Sequence, residues 1–408
     1  MQAQMIAPDE HLLSRLFNQH QPAITIILQT QQKCVFKAEF STRIDFDLTS
    51  KIVRLEIKNK ESQSFGEIAL LQHLAATVIP DLVPKTHQVG IIEDSLGRAL
   101  HFSVTEFVEG DTLQNVWSKL SADAQDSIVV KLGEALEKLH TIRPSNLESE
   151  KRPKAPPGAN KEMLDKVSQP GVFGGPHTGF IDTGSALLAS FMNRRKLKKQ
   201  FCVLEPRSNM QGIIIRSNFN DLGSLTIDNS ESEKWSEEAV LCHNDLNPRN
   251  LIIQQRKSPD GVLEHRLAGI VDWELAGFYP ASYELSLHDT YLGTANQHLS
   301  FYFKLKSYMR SCVPHSPSQI KLLKANELIY ESQQRHLAIG TNIPAHVRKR
   351  FKDYFRLVRD NDPYIGWTSG LEDIEFPAWD DAVAQKMEDD VIQEMIIRRQ
   401  HAKASNHN

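Results

Sequence analysis

The chain opens with segments in which apolar and polar positions alternate. Ala23–Leu28, Cys34–Phe40, Lys51–Ile57 and His101–Val108 are rich in β-branched and aromatic residues and predict strands. One helix interrupts them. Phe65, Ile68, Leu71 and Leu74 recur at helical spacing between Ser64 and Ala76, and Pro80 and Pro84 mark its exit. From Asp111 onward the pattern turns helical. Ile128, Leu132, Ala135 and Leu139 form a stripe ending at His140, and further helices are predicted over Ser282–Met309, Pro317–Ala338 and Pro344–Val358. Arg143–Gly179 is rich in Pro, Gly and charge, including Lys151–Gly158, and predicts an exposed insertion.

A second strand-like region carries chemistry. Leu251–Gln255 predicts a short strand, Ser258-Pro259-Asp260-Gly261 a turn, and Leu263–Val271 a returning strand that ends on Asp272. Just before this hairpin, His243-Asn244-Asp245-Leu246-Asn247-Pro248-Arg249-Asn250 reads H-x-D-x-x-x-x-N. The hairpin returns Asp272 to the neighbourhood of Asn250, which suits two oxygen ligands of one magnesium ion. Asp245 then supplies a carboxylate that can accept a proton from an attacking hydroxyl. Three fixed residues match by chance in roughly one chain of this length in twenty, so the hairpin context carries the reading.

Composition narrows the class. The 408 residues are 40% hydrophobic and 24% charged, ordinary globular values, with a net charge of −4 that argues against a dedicated nucleic-acid binder. Cys34, Cys202, Cys242 and Cys312 are scattered, which suits a reducing compartment. Met1–Gln19 lacks the apolar core of a secretory signal, and no stretch approaches a membrane span. The expectation is a cytoplasmic protein that engages no membrane.

His243 to Asn250 together with Asp272-Trp273-Glu274 resembles the aminoglycoside phosphotransferase and choline kinase group, the small-molecule branch of the protein-kinase-like fold. The wording Val271-Asp272-Trp273-Glu274-Leu275-Ala276-Gly277-Phe278-Tyr279-Pro280 is most similar to fungal members. The resemblance covers roughly residues 20 to 300 and is specific near 240–280. It implies an α+β bilobal fold: an extension over 1–20, a β-rich nucleotide-binding lobe over 21–109, a helical lobe over 110–395 and a polar tail over 396–408. It also implies ATP and magnesium as cofactors, Asp245 as catalytic base, and Asn250 and Asp272 as metal ligands. His243 would brace the loop. Glu274 is either a water-mediated metal contact or a structural acid. Asn247 stands where protein kinases carry a Lys.

For the nucleotide phosphates the resemblance points to Arg54, in mid-strand where the kinase Lys sits, paired with Glu67 on the following helix; Lys58, on the same strand face, is the second candidate. Glu106 and Val108 occupy the hinge position that offers backbone groups to adenine. No glycine lies between Cys34 and Lys51, so the Gly-x-Gly-x-x-Gly loop is missing, and Ser41 and Thr42 are the polar residues in its place. Gly171-Val172-Phe173-Gly174-Gly175-Pro176 lacks the context of a phosphate cradle and reads as a loop.

Two charge clusters remain. Arg194–Lys199 reads as a polyanion patch or a solvated helix face. Nine acids against the single base Lys386 between Glu372 and Glu394 suit a cationic acceptor or an acidic surface helix. The expected activity is ATP- and magnesium-dependent phosphorylation of a hydroxyl on a small molecule. The competing reading is a kinase-like binding module without activity. A protein kinase is disfavoured by Trp273-Glu274 and by the missing Ala-Pro-Glu segment.

Overall fold

The computed structural model describes residues 5–18, 20–44, 48–58, 65–148, 158, 161–194, 197, 200–208, 211–257, 261, 263–294, 296–339, 342–370 and 379–405. They fall into two compact units. The first comprises residues 1–116, 134–180 and 240–278, and the second residues 117–133, 181–239 and 279–408.

The first unit begins with helix α1 (Glu10–Phe17), started by the Asp9 carboxylate accepting the Leu12 amide at 2.8 Å. Strands β1 (Ala23–Gln29), β2 (Lys33–Ile44), β3 (Leu48–Ile57), β4 (Thr86–Glu93) and β5 (Ala99–Glu106) form an antiparallel sheet in the order β1-β2-β3-β5-β4. Alternation divides its faces. Cys34, Phe36, Ala38, Val53, Leu55, Leu100, Phe102 and Val104 point to one side, where Leu12, Leu16 and Phe17 of α1 complete a core. Helix α2 (Phe65–Val78) covers the other side, with Phe65 and Ala69 against Val89.

The predicted strands and the helix after the third are all present. Strand β4 and helix α1 are additional.

The hairpin also forms. Strand β6 (Asp111–Thr112) pairs with Ile252 and Ile253 of β7 (Leu251–Lys257), and β7 pairs with β8 (Leu263–Ile270) from Leu251↔Ile270 outward. Gly110, at φ 138°, lets the chain leaving β5 reach this ladder, since a Cβ there would lie 2.4 Å from the Ile253 carbonyl oxygen. Ser258, Pro259 and Asp260 of the predicted turn lie outside the described residues, as do Lys151–Pro157 of the predicted insertion. The rest of that insertion is not uniformly exposed. Val172 and Phe173 are buried, and Phe173–Gly175, read from sequence as a loop, is a strand whose Gly174 pairs with Phe278. The apolar residues among its glycines give it a core to join.

The second unit is mainly helical. The helix expected over Ser282–Met309 is two, Ser282–Tyr291 and Leu299–Tyr308. Between them Gly293 and Asn296 close a turn: the Gly293 amide donates to Asn296 Oδ1 at 3.0 Å, and the Asn296 amide returns to Gly293 O at 2.8 Å. The helix Pro317–Ile339 follows its expected course. The helix expected to reach Val358 stops at Tyr354, and Leu357–Arg359 pairs instead with Trp367–Ser369. An antiparallel sheet of Cys202–Pro206, Gly212–Ser217 and Ser224–Asp228 was not anticipated. The C-terminal helix runs Asp381–Ser405, into the segment expected to be a polar tail. Of the predicted cationic cluster, Arg195, Lys196, Lys198 and Lys199 lie outside the described residues.

A buried ionic knot organises this unit. Asp289, its side chain 1% exposed, takes Lys306 Nζ at 3.2 Å on both oxygens, Arg359 at 3.4 Å and the Tyr302 hydroxyl. Trp367 Nε1 donates to the Asp289 carbonyl at 2.7 Å, and Arg359 continues to Glu327 at 2.6 Å. Gly366, at φ 64°, is obligatory here: a Cβ would lie 1.9 Å from Lys306 Nζ. Removing the central carboxylate leaves buried cations uncompensated, which costs more than the intact knot contributes. Asp289→Ala should therefore lower unfolding free energy by about 3–5 kcal/mol in urea titrations. A loss under about 1 kcal/mol, the level of an exposed pair, would show that the knot does not hold the unit together.

Candidate active site

The residues singled out on the hairpin lie in the first unit, and the backbone brings them together. Ala239–Cys242 is a buried strand that delivers His243 to the interior. Asn244 then turns the chain through φ 66°, a left-handed conformation that Asn tolerates better than most residues. A single 3-10 turn over Pro248–Asn250 leads into β7, Pro248 standing at its first position where no amide donor is needed. At the far end, β8 delivers Asp272, also left-handed at φ 65°.

Three bonds knit these two loops, and a fourth braces the first loop from within. The Val271 amide donates to Asn250 O at 2.9 Å, and Asn244 Nδ2 donates to Leu275 O at 3.1 Å. His243 supplies the others. Its Nδ1 accepts the Asp245 amide at 3.2 Å, which leaves Nε2 to carry the proton and donate to Val271 O at 3.0 Å. The imidazole is fully buried, edge-on to the Trp273 ring at 4.7 Å, and Trp273 Nε1 donates to Ile270 O at 2.9 Å.

Asp245 is held on every side. Its Oδ1 accepts Asn247 Nδ2, its Oδ2 accepts Asn250 Nδ2 at 2.9 Å, and Arg249 Nη2 stands 3.3 Å from each oxygen. Asn250 Nδ2 also donates to the Asp245 carbonyl at 2.8 Å. With both acceptors belonging to Asp245, the Asn250 amide nitrogen faces that residue, and Oδ1 is the oxygen left for a hard cation.

Arg54 joins the group from β3. Its guanidinium lies 2.9 Å from Glu56, 2.6 Å from Glu274 and 3.8 Å from Asp272, and stacks over the Phe65 ring at 5.0 Å. Burial works against the charge on Arg54, but Glu274 and Glu56 outweigh it and hold the guanidinium ionised. Asp272 is the opposite case. Burial pushes its carboxyl above the ordinary range, the neighbouring Glu274 adds to that, and Arg54 and Lys33 offset it only in part. Three carboxylates around one guanidinium, one of them resisting ionisation, form a set that a divalent cation would complete. Asp272 and Asn250 Oδ1 are the ligand atoms that fit it.

Other sequence-predicted residues fall elsewhere. Among the described residues Glu67 makes no ion pair with Arg54. Burial raises its carboxyl, and the cation that acts on it is Lys166. Lys58 lies exposed beyond the end of β3, near His101 rather than Asp272. The Glu106 amide is already spent on Lys85 O at 2.9 Å, while that of Val108 donates to no backbone carbonyl among the described residues. Val108 packs on Gly269, where a Cβ would meet its side chain at 2.9 Å. The side chain of Thr42 is outside the described set; Ser41 is exposed. Glu56 and Arg249 were missed. The signals were present: Glu56 is two residues from Arg54 on the same strand face, and Arg249 is one helical turn from Asp245.

A β-rich N-terminal sheet, a helical C-terminal region and this pair of knitted loops define an α+β kinase-like fold. The phosphotransferase enzyme family model matches residues 47–299, and the chain belongs to that family. No curated protein matches the chain. Among solved structures, the GDP complex of wild-type aminoglycoside 2'-phosphotransferase-IIIa is similar at 12% identity and TM-score 0.40, covering 93% of this chain and 96% of that one. The streptomycin–ATP ternary complex of APH(2'')-IIa is similar at 13% identity and TM-score 0.37, covering 81% and 90%. An aminoglycoside-3'-phosphotransferase of type VIII is similar at 11% identity and TM-score 0.38, covering 79% and 97%. The family assignment rests on the sequence match. No helix among the described residues is long and apolar enough to cross a membrane.

The raised Asp272 carboxyl has a consequence for stability. A carboxyl whose folded pKa exceeds its unfolded value binds more protons in the native state, so stability falls as pH rises through that interval. Asp272 thus costs stability at neutral pH in the ligand-free protein. Asp272→Asn should raise the melting temperature there, and the two proteins should converge in acid, where Asp272 is protonated. Thermal melts across pH that show a lower melting temperature for the Asn variant at neutral pH would contradict this electrostatic account.

Proposed function

We propose that this phosphotransferase moves the γ-phosphoryl group of ATP to a hydroxyl of a small molecule, with magnesium. The observation that carries this reading is the convergence of Asp245, Asn250 and Asp272 on two loops knitted through His243, with Arg54 reaching Asp272 from β3. Phosphoryl transfer asks for positioning and charge stabilisation more than covalent work by the protein. Asp245 accepts the proton of the attacking hydroxyl and orients it. Arg249 and Asn247 fix the carboxylate so that it meets the hydroxyl in one direction. Asn250 and Asp272 would hold magnesium, which supplies charge neutralisation at the phosphate oxygens. Arg54 anchors the phosphates as a fork rather than a point charge. Of the two hinge residues, Val108 has the backbone amide to offer adenine.

The acceptor belongs to the class of small molecules. A cationic one is favoured by the net charge of −4, to which the exposed Glu388, Asp389 and Asp390 of the helix Asp381–Ser405 contribute. Glu372, Asp373 and Glu375 of the acidic stretch lie outside the described residues.

A nucleotide-consumption screen over amines, amino alcohols and sugars tests the activity. Magnesium-dependent stabilisation by ATP with turnover of no acceptor would favour the binding-module reading instead. Asp245→Asn keeps the shape but cannot take the proton, and general-base assistance is worth about 10²–10⁴-fold. Turnover should fall by that factor with nucleotide affinity little changed. A variant that keeps most of its turnover at saturating substrate would remove Asp245 from the mechanism.

A further inference from the structure

In the arrangement expected from sequence, the phosphate-binding cation is held by a carboxylate on the helix that covers the sheet. The structure gives Arg54 a different partner. Arg54 and Glu56 are two residues apart on β3, so both project from the face opposite Val53 and Leu55. Their side chains meet at 2.9 Å, and Glu56 stands opposite Lys33 of β2 in the sheet register. Glu67 has no ion pair with Arg54 among the described residues, and the charge that partly offsets its burial is Lys166. Helix α2 contributes a ring instead, Phe65 under the guanidinium.

We propose that Glu56, rather than Glu67, is the positioning carboxylate that sets Arg54 for the nucleotide phosphates. The inference rests on the reading of Arg54 as the phosphate anchor and assigns what holds it. The guanidinium divides its edges: Nη2 goes to Glu56 and Glu274, and Nη1 faces Asp272. Without Glu56 the remaining acids, Glu274 and Asp272, both pull Arg54 toward the metal-binding loop. Glu56 opposes that pull from a fixed point on the same strand. Because the grip lies within one strand, it does not depend on where α2 sits. A Lys at this position would lack the fork needed to serve both edges.

The sign of the effect separates positioning from simple electrostatics. Deleting a negative charge near an anionic nucleotide would by itself tighten binding, so weakened binding reports lost positioning. The test titrates ADP with magnesium into the full-length protein by calorimetry, for Glu56→Gln, Glu67→Gln, Arg54→Ala and the Arg54→Ala/Glu56→Gln double variant. Circular dichroism melts check that each is folded. Losing one charge-assisted hydrogen bond to Arg54, Glu56→Gln should weaken ADP at least about tenfold. Glu67→Gln should stay within about twofold. The Glu56→Gln effect should vanish in the Arg54→Ala background, because Glu56 acts only through that residue. Loss of affinity in Glu67→Gln with none in Glu56→Gln, or tighter binding in Glu56→Gln, overturns the proposal while leaving Arg54 as anchor. An Arg54→Ala variant that binds ADP as well as wild type overturns both. If Glu56→Gln does not fold, Glu56→Asp takes its place. It keeps the charge but shortens the reach by one methylene, and an affinity equal to wild type in that variant would count against the proposal.

Discussion

Everything at the candidate site depends on one buried imidazole. His243 accepts the Asp245 amide on one side and donates to the Val271 carbonyl on the other, so it fixes the backbone on either side of the gap between the two loops. A hydrogen bond between loops is worth little when water competes, but this one is fully enclosed, and breaking it would strand a buried polar group on each loop. The cross-links from Asn250 O to Val271 and from Asn244 to Leu275 then fall into register, and Asp245 and Asp272 are brought close enough for the charge of one to raise the pKa of the other.

That closeness is electrostatically expensive. Asp245, Asp272, Glu274 and Glu56 stand against Arg54, Lys33 and the exposed Arg249, an excess of negative charge that burial sharpens at Asp272. A fold selected for stability alone would not assemble carboxylates at this density. Under the proposed function a divalent cation would relieve the carboxylates, and Arg54 could then share itself with the phosphates. The cost is borne by a scaffold with reserves: the sheet core between β2, β3, β5 and α1 lies directly beneath Arg54.

How much of this was legible in the sequence varies with the kind of signal. The hairpin was, because Leu251–Gln255 and Leu263–Val271 are short apolar-bearing runs around a strong turn and border residues with recognisable chemistry. The strands β2, β3 and β5 were, because each buries one face. Strand β4 escaped because Gly90 and the polar Thr86, His87 and Gln88 dilute its pattern. The sheet of Cys202–Pro206, Gly212–Ser217 and Ser224–Asp228 escaped because its strands are short and its neighbours read as a helical region. The break between Ser282–Tyr291 and Leu299–Tyr308 depends on the Gly293–Asn296 turn, whose effect on the chain is local while the apolar content continues on both sides. The pairing of Arg54 could not be read from an expected helix position. Nothing in Glu67 itself says that it forms no ion pair with Arg54, whereas the two-residue spacing to Glu56 was a physical signal in the sequence.

The backbone supplies the last constraint. Of the four non-glycine residues with positive φ among the described ones, Asn244 and Asp272 both lie at this site. Left-handed backbone costs of order 1–3 kcal/mol for a side-chain-bearing residue and persists only where the surroundings over-determine it. Here they do. Asn244 is pinned by its own side chain on Leu275 O, and Asp272 stands between Val271, held at both its amide and its carbonyl, and Trp273, held by its indole. Each reversal turns the chain immediately before or at a carboxylate, and Asp245 and Asp272 end near enough for the charge of one to act on the other. A glycine would make either turn at lower cost but would carry no carboxylate at 272 and no carboxamide at 244. The strain is therefore tied to the chemistry: the same two positions that bend the loops also carry side chains that bind them or act from them.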